Sequence, residues 1–311
     1  GNFAIEKVPY GKHTVVFRII GYEKKEVKVN LQEPVLKLDV KLRQKSEELD
    51  AVNIYSEKEG VGGMKRMRAI EGVLISEGKK NEVIQPAEIM GNKAVNQGRQ
   101  IYSRIPGLNI WESDGAGIQL GIGGRGLEPN RTSNFNVRQN GYDISADALG
   151  YPESYYTPPT EAVEQIQLIR GAASLQFGTQ FGGLINFVLN DGPERPGTEF
   201  VYRHTTGSFG LASNFFSAGV NQGPIKSYGY FQLKKGNDFR PNSNFEVYSG
   251  MANLTYQIND KASIKLEYTK MSYLNQQPGG LTDKEFFEDP TISKRERNWF
   301  QVDWNLFAAD F

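Results

Sequence analysis

The sequence contains no cysteine. That excludes a disulfide framework, a thiolate metal site and a cysteine nucleophile. It is compatible with a chain that crosses an oxidising compartment without needing bridges. No run of about 18 apolar residues occurs, so no transmembrane helix is expected; a β-barrel stays open, because its strands hide in alternating patterns. Charge of one sign is also missing. Lys plus Arg and Asp plus Glu are both 36, and nothing steers the chain toward nucleic acid. There are two histidines, His13 and His204, too far apart to suggest a shared metal. No G-x-S-x-G elbow, calcium-loop pattern or catalytic constellation appears, so neither an enzyme nor a resident cofactor or metal is expected. The chain opens on Gly1 and shows no signal peptide, which reads as a processed or partial chain.

What is present divides the 311 residues into stretches of different pattern. In residues 1–45, Val27, Val29 and Leu31 alternate with polar residues. Leu36, Leu38, Val40 and Leu42 do the same. These predict strands of a small β-sandwich, N-terminally incomplete. Residues 46–79 are charged and then Gly-rich, with one short β-like run. They read as a linker, either plain or carrying an extended docking peptide. Residues 80–193 mix patterns. "NKAVNQGRQIYSRIPGL" predicts a helix ended by Pro106-Gly107, and "EQIQLIRG" and "GGLINFVLN" predict strands.

Residues 194–311 alternate most clearly. Ala262, Ile264, Leu266 and Tyr268 oppose Ser263, Lys265, Glu267 and Thr269. Tyr248, Ala252, Leu254, Tyr256 and Ile258 form a second row, and Phe300, Val302, Trp304 and Leu306 a third. Six candidate strands of about ten residues result, the length that spans a bilayer when tilted. Short connections (Gln222–Ser227, Asn259–Lys261) and long ones (Gly236–Asn244, Asn275–Asn298) fall at opposite ends, as in an outer-membrane barrel. A soluble sandwich or propeller blade also alternates. Six strands are too few to close around a domain of this size, so most of the barrel is expected outside this sequence.

"LGIGGRGLEPNR" (Leu120–Arg131) satisfies G-x-G-x-x-G, and Asp143 lies near the acidic offset of a dinucleotide site. A Rossmann turn needs a helix opening at the third glycine. Here "NFNVRQNGYDI" reads as strand and turn instead. Close packing of strands around Arg125 explains the glycines better.

The motifs "RIPGLNI", "GGRGLEPNR", "EQIQLIRGAASLQFG" and "FGGLINFVLNDGP" resemble, in order and spacing over about residues 83–193, the plug of TonB-dependent outer-membrane receptors. The first segment resembles the carboxypeptidase-regulatory-like domain of Bacteroidetes receptors. "QPGGLT" resembles a loop after the fifth barrel strand. The implied fold is an α+β plug inside a transmembrane antiparallel β-barrel of about 22 strands, about six of them here, preceded by a small β-sandwich. Within the family, "RGLEPNR" and "ALGYPESYYTPP" are most like ferric-citrate receptors. Tyr151 stands where those receptors usually have Gln.

The resemblance implies import of a ferric chelate across the outer membrane of a Gram-negative bacterium, with iron only as part of the cargo and the N-terminal domain periplasmic. Leu49, Asp50, Ala51, Val52, Asn53 and Ile54 occupy the TonB-box position. Implied partners are TonB with its inner-membrane energising complex, the chelate and outer-membrane lipid. Glu128, Asn130, Arg131, Tyr151, Tyr155 and Arg240 are the implied ligand contacts. Arg125 and Arg170 are implied latches pairing with barrel glutamates. Two alternatives remain. One is import of a glycan or peptide, with a surface lipoprotein lid; the other is a barrel scaffold in an envelope complex.

Overall fold

The computed structural model describes residues 3–5, 7–17, 24–42, 64–67, 70–71, 74–75, 81–146, 153–170, 177–178 and 180–311. It contains two compact units, residues 1–56 and 57–311.

In the first unit, β1 (Gly11–Phe17) and β2 (Lys25–Leu31) form an antiparallel pair that sets Val15 opposite Val27 and His13 opposite Val29. Their alternation gives one half-buried row. Phe3 packs edge-on to Phe17, with ring centroids 5.1 Å apart. The run Leu36–Leu42, expected as a strand, joins no ladder. Leu38, Val40 and Leu42 are half-buried, as the pattern requires. The pattern selects a face, but not a neighbour whose backbone can pair.

The plug part of the second unit begins with β3 (Met64–Lys65), β4 (Ile70–Glu71), β5 (Leu74–Ile75) and β6 (Asn81–Ile84). Then come α1 (Gly98–Tyr102), β7 (Leu108–Glu112), β8 (Leu120–Gly124), β9 (Phe135–Gln139), β10 (Tyr142–Asp143), β11 (Val163–Ile169) and β12 (Gly183–Leu189). One sheet has the order β10-β9-β12-β11-β6-β3, and β7 pairs with β8 apart from it. Only β9 and β12 run parallel within that sheet.

The helix expected across residues 92–108 is confined to Gly98–Tyr102. Asn96 stops it on the N-terminal side. Its φ is +47°. Its side chain accepts from the Thr160 N–H and Oγ1 at 2.8 and 2.9 Å, and donates to the Gly117 carbonyl at 3.1 Å. An asparagine so engaged competes with helical backbone bonds. Among the described residues no helix is long and apolar enough to cross a membrane.

The last third of the chain is a six-stranded antiparallel meander in chain order. It comprises β13 (Gly197–Thr206), β14 (Ala212–Gln222), β15 (Ile225–Gly236), β16 (Phe245–Asn259), β17 (Ala262–Gln276) and β18 (Trp299–Asp310). Residues 223–224 and 260–261 make two-residue turns at one end. Residues 237–244 and 277–298 make long loops at the other, the second carrying α2 (Asp283–Glu288). Outward rows expose Phe200, Tyr202, Phe231, Tyr248, Leu254 and Leu266, the apolar surface a barrel turns to lipid. Inward rows bury Phe215, Tyr230, Met251, Met271 and Tyr273 in one cluster with Ile84, Ile122, Phe135, Ile166 and Phe187 of the plug. Plug and wall therefore share a core.

One row inverts the expectation. Phe300, Val302, Trp304 and Leu306 of β18 pack against the shared core rather than facing outward. The register pairs Met271 with Trp304, Tyr273 with Val302 and Asn275 with Phe300. Cross-strand partners share a face, so the apolar row of β18 falls on the plug side. Its polar row points out, where the Lys270 ammonium lies 3.2 Å from Asp303.

Candidate ligand site and the plug–barrel seam

β8 leads into the turn that carries the glycine motif. A Cβ on Gly123 would lie 2.1 Å from the Leu127 carbonyl, and one on Gly121 would lie 2.8 Å from that of Trp111. The glycines thus let backbone lie on backbone. No helix follows; only a single 3-10 turn, Asn130–Thr132, does. Thr132 Oγ1 pins this turn to β8, donating to the Leu120 carbonyl at 2.6 Å and accepting from the Ile122 N–H at 3.2 Å.

The pinned turn fixes Arg131, whose φ is +46°. Its Nη1 donates to Glu153 at 3.2 Å and its Nε to Gln119 Oε1 at 3.3 Å. The guanidinium carbon sits 5.4 Å from the Tyr155 ring centre and 4.9 Å from that of Phe300. Tyr155 Oη also donates to Glu153. A cation set over two rings that donates from separate nitrogens to a carboxylate and an amide is a task suited to arginine and not to lysine. Phe300 is the second residue of β18, which places the cluster at the long-loop end.

The structure thus brings Arg131 and Tyr155 together and leaves Glu128 and Asn130 exposed on the same turn. The charge of Arg131 is already matched by Glu153. Arg240 is held elsewhere: its Nε and Nη2 donate to the Ile292 carbonyl at 2.9 and 2.8 Å, tying two loops together. Tyr151 and residues 49–54 lie outside the described residues.

Of the two implied latch arginines, whose barrel partners were expected beyond Phe311, one is already paired within the plug. Arg170 pairs with Glu82 of the plug itself, and its Nη1 donates to the Pro106 carbonyl at 2.7 Å. The β11–β6 register aligns Leu168 with Glu82, putting the carboxylate within diagonal reach of Arg170. Arg125 is exposed at φ +58°, and among the described residues its side chain has no ion pair.

Other residues tie plug to wall. Asn140 (φ +47°) and Gly141 (φ +90°) form the tight turn between β9 and β10. That hairpin closes on Glu267 of β17. Gln139 Nε2 donates at 2.9 Å, Asn140 Nδ2 at 2.7 Å, and Tyr142 Oη completes the set. Tyr156 Oη donates to Gln139 Oε1 at 2.8 Å behind it. Lys234 of β15 donates to the Ala116 carbonyl at 2.5 Å. The same turn is organised by Asp114, which accepts the N–H groups of Ala116, Ile118 and Gln119 at 2.9, 3.0 and 3.1 Å. Burial raises the Asp114 carboxyl pKa, against the opposing pull of those bonds and of Lys234. Glu161 accepts from Gln232 Nε2 at 3.2 Å and lies 3.8 Å from Arg203; burial raises its pKa too.

Sequence reasoning missed Glu267 and Lys234 as latches. Their signal was present: both are charged residues in rows that alternate with the outward apolar rows. Among the described residues no group of three or more His, Cys, Asp or Glu is placed to hold a metal.

Residues 77–184 match the TonB-dependent Receptor Plug Domain, and residues 1–54 match the CarboxypepD_reg-like domain. No curated protein matches the chain. Among solved structures, the ferric citrate transporter FecA in its unliganded form is similar at TM-score 0.63 and 22% identity, covering 75% of this chain and 37% of that one. The copper transporter OprC is similar at TM-score 0.53 and 16% identity, over 67% of this chain and 32% of its own. The ferric enterobactin receptor PfeA of Pseudomonas aeruginosa, as a G324V mutant, gives TM-score 0.50 and 15% identity, over 70% and 36%. The chain thus spans about a third of the length of these transporters and receptors. Residues 77–184 thus carry a TonB-dependent receptor plug domain and residues 1–54 a CarboxypepD_reg-like domain, and the fold, a plug packed against a meander of antiparallel barrel strands, is that of the TonB-dependent receptors.

Proposed function

We propose that this chain serves TonB-dependent import of a ferric chelate. The observation that carries this reading is the setting of Arg131. It stands on an exposed turn at the long-loop end, yet touches the wall at Phe300 and the plug at Gln119 and Glu153. An anionic chelate on the Glu128–Arg131 turn competes with Glu153 for the guanidinium. Any movement of Arg131 then reaches Gln119, whose Nε2 donates to Tyr273 of the wall at 3.4 Å. Ligand arrival and plug–wall contact are thereby coupled. Similarity of fold to a ferric citrate transporter and a ferric enterobactin receptor supports the choice of cargo.

In this reading Leu49–Ile54 pairs as an added strand with TonB, which the inner-membrane energising complex pulls. Backbone bonds along an extended peptide resist pulling and demand little of its sequence.

Uptake of radiolabelled iron from a panel of chelates, in cells with and without the gene, tests the proposal. At least one chelate should depend on the gene, and deletion of residues 49–56 should abolish that uptake. Iron uptake independent of the gene for every chelate refutes the cargo. Uptake that survives the deletion refutes the TonB mechanism.

A further inference from the structure

The two long loops of the wall are built as one piece. The loop after β17 runs from residue 277 to residue 298. Loops longer than about 15 residues are usually moving lids, binding loops or disordered segments. This one is ordered from within. Thr282 and Glu285 cap α2 reciprocally: the Thr282 N–H donates to Glu285 Oε2 at 2.8 Å, and the Glu285 N–H donates to Thr282 Oγ1 at 3.4 Å. The Lys294 ammonium lies 2.8 Å from Glu285. At the base, the Gln277 N–H donates to the Asn298 carbonyl and the Lys294 N–H to the Pro278 carbonyl, both at 2.9 Å. Gly279, at φ +81°, makes room for Arg295 to cross: a Cβ there would lie 2.7 Å from Arg295 Cγ.

The shorter loop, residues 237–244, clasps the longer one. Arg240 donates from Nε and Nη2 to the Ile292 carbonyl at 2.9 and 2.8 Å. Asn242 Nδ2 faces three more carbonyls, those of Arg295 at 2.6 Å, Gln277 at 3.1 Å and Asn298 at 3.2 Å. An amide carries two hydrogens, so the three carbonyls share them. Asn242 sits at φ +55°, a left-handed conformation that asparagine adopts more readily than most residues. Below it, the Gln276 N–H donates to the Asn244 carbonyl at 2.9 Å, and the Asn244 N–H donates to Gln276 Oε1 at 3.1 Å.

The clasp ends beside the Arg131 cluster. Asn298 stands two residues before Phe300, whose ring lies 4.9 Å from the Arg131 guanidinium carbon and 6.0 Å from the Tyr155 ring. Two residues of extended chain span at most about 7 Å, so little slack separates the held carbonyl from the ring.

We propose that the two loops form a single rim, fixed before any ligand arrives, and that Asn242 is the positioning residue that sets Phe300 over Arg131. Arg240 is the second clasp, at Ile292. A loop ordered in advance loses little freedom on binding, which is how preorganisation favours affinity. That Arg131 meets the cargo is the reading given above; the rim is tested without any cargo.

The full chain, purified in detergent and free of chelate, gives two readouts. In hydrogen exchange, residues 277–298 should be protected in the parent, and Asn242→Gly should speed their exchange about tenfold or more. Glycine accepts the left-handed backbone, so that variant removes only the amide. Arg240→Ala should speed exchange of the same loop to a similar degree. Exchange of β14 and β15 should stay as in the parent; if one variant disturbs those strands, the other decides. The second readout is the fluorine NMR resonance of para-fluorophenylalanine in place of Phe300. Arg131→Ala should shift it, because the cation leaves the ring face, and Asn242→Gly should shift it toward the same value. The proposal is overturned if the parent loop exchanges like an unstructured peptide. It is equally overturned if the variants speed exchange by less than about threefold, or if the Phe300 resonance ignores Asn242→Gly. Iron uptake is a separate signal, so the rim and the cargo reading fail independently.

Discussion

Glu267→Ala removes the acceptor on which the β9–β10 hairpin closes. Of the three plug donors only Gln139 Nε2 keeps another acceptor, while the Tyr142 hydroxyl keeps only a bond that it accepts. Gln139 Nε2 also reaches Thr269 Oγ1 at 2.9 Å, and the Tyr142 hydroxyl stays 2.6 Å from Gln139. Asn140 Nδ2 loses its 2.7 Å acceptor outright. A half-buried donor left unpaired costs about 1 kcal/mol or more, and each lost or weakened charge-assisted bond costs about 1–2 kcal/mol. The sum, about 3–5 kcal/mol, matches the range for breaking a buried polar pair from one side. Glu267→Gln keeps the volume and one acceptor oxygen, so about 1–2 kcal/mol is expected. Hydrogen exchange over residues 135–143 reads the opening of the hairpin directly. Since 1.4 kcal/mol is about tenfold, the alanine variant should exchange about a hundredfold or more faster there, and the glutamine variant about tenfold. Exposed Glu246→Ala should change nothing. Exchange within about threefold of the parent for Glu267→Ala would refute the view that this carboxylate holds plug to wall.

Other outcomes follow from the same geometry. Gly123→Ala drives a Cβ into the Leu127 carbonyl and should cost about 3 kcal/mol or more; Gly126→Ala meets open space at φ +80° and should cost about 1 kcal/mol. Equal melting temperatures for the two would show that the turn does not pack as described. Burial raises the Glu161 pKa above its unfolded value, so its stabilising contribution is complete below about pH 4.3 and is lost as pH rises through the folded pKa. Glu161→Gln should therefore raise Tm at pH 7 more than at pH 4, with the Gln232 bond conserved; an equal effect at both would contradict the assignment. Arg131→Lys keeps the charge but loses the guanidinium's contact over the Tyr155 and Phe300 rings and its separate donors to Glu153 and Gln119. It should weaken chelate binding about tenfold, read as the Kd of the purified protein.

The sequence by itself determined what repeats locally. The six wall strands, their short and long connections, β11, β12 and the Asn140-Gly141 turn follow from period-two alternation and from turn residues, which depend on a few neighbours. The glycine motif was likewise legible as close packing, because no helix pattern follows it. The chain was legible as a plug-bearing receptor because four motifs recur in order. What long-range pairing sets was not legible. Register turned the apolar row of β18 inward, since only the partner strand says which face is which. Arg131 gained Glu153 and Phe300, and Arg170 gained Glu82, from segments 22, 169 and 88 positions away. Glu267 became the latch because 127 residues separate it from Asn140 and the fold removes that distance. A charge in a lumen-facing row announces that it needs a partner; which partner it meets is decided only when the plug sits against the wall.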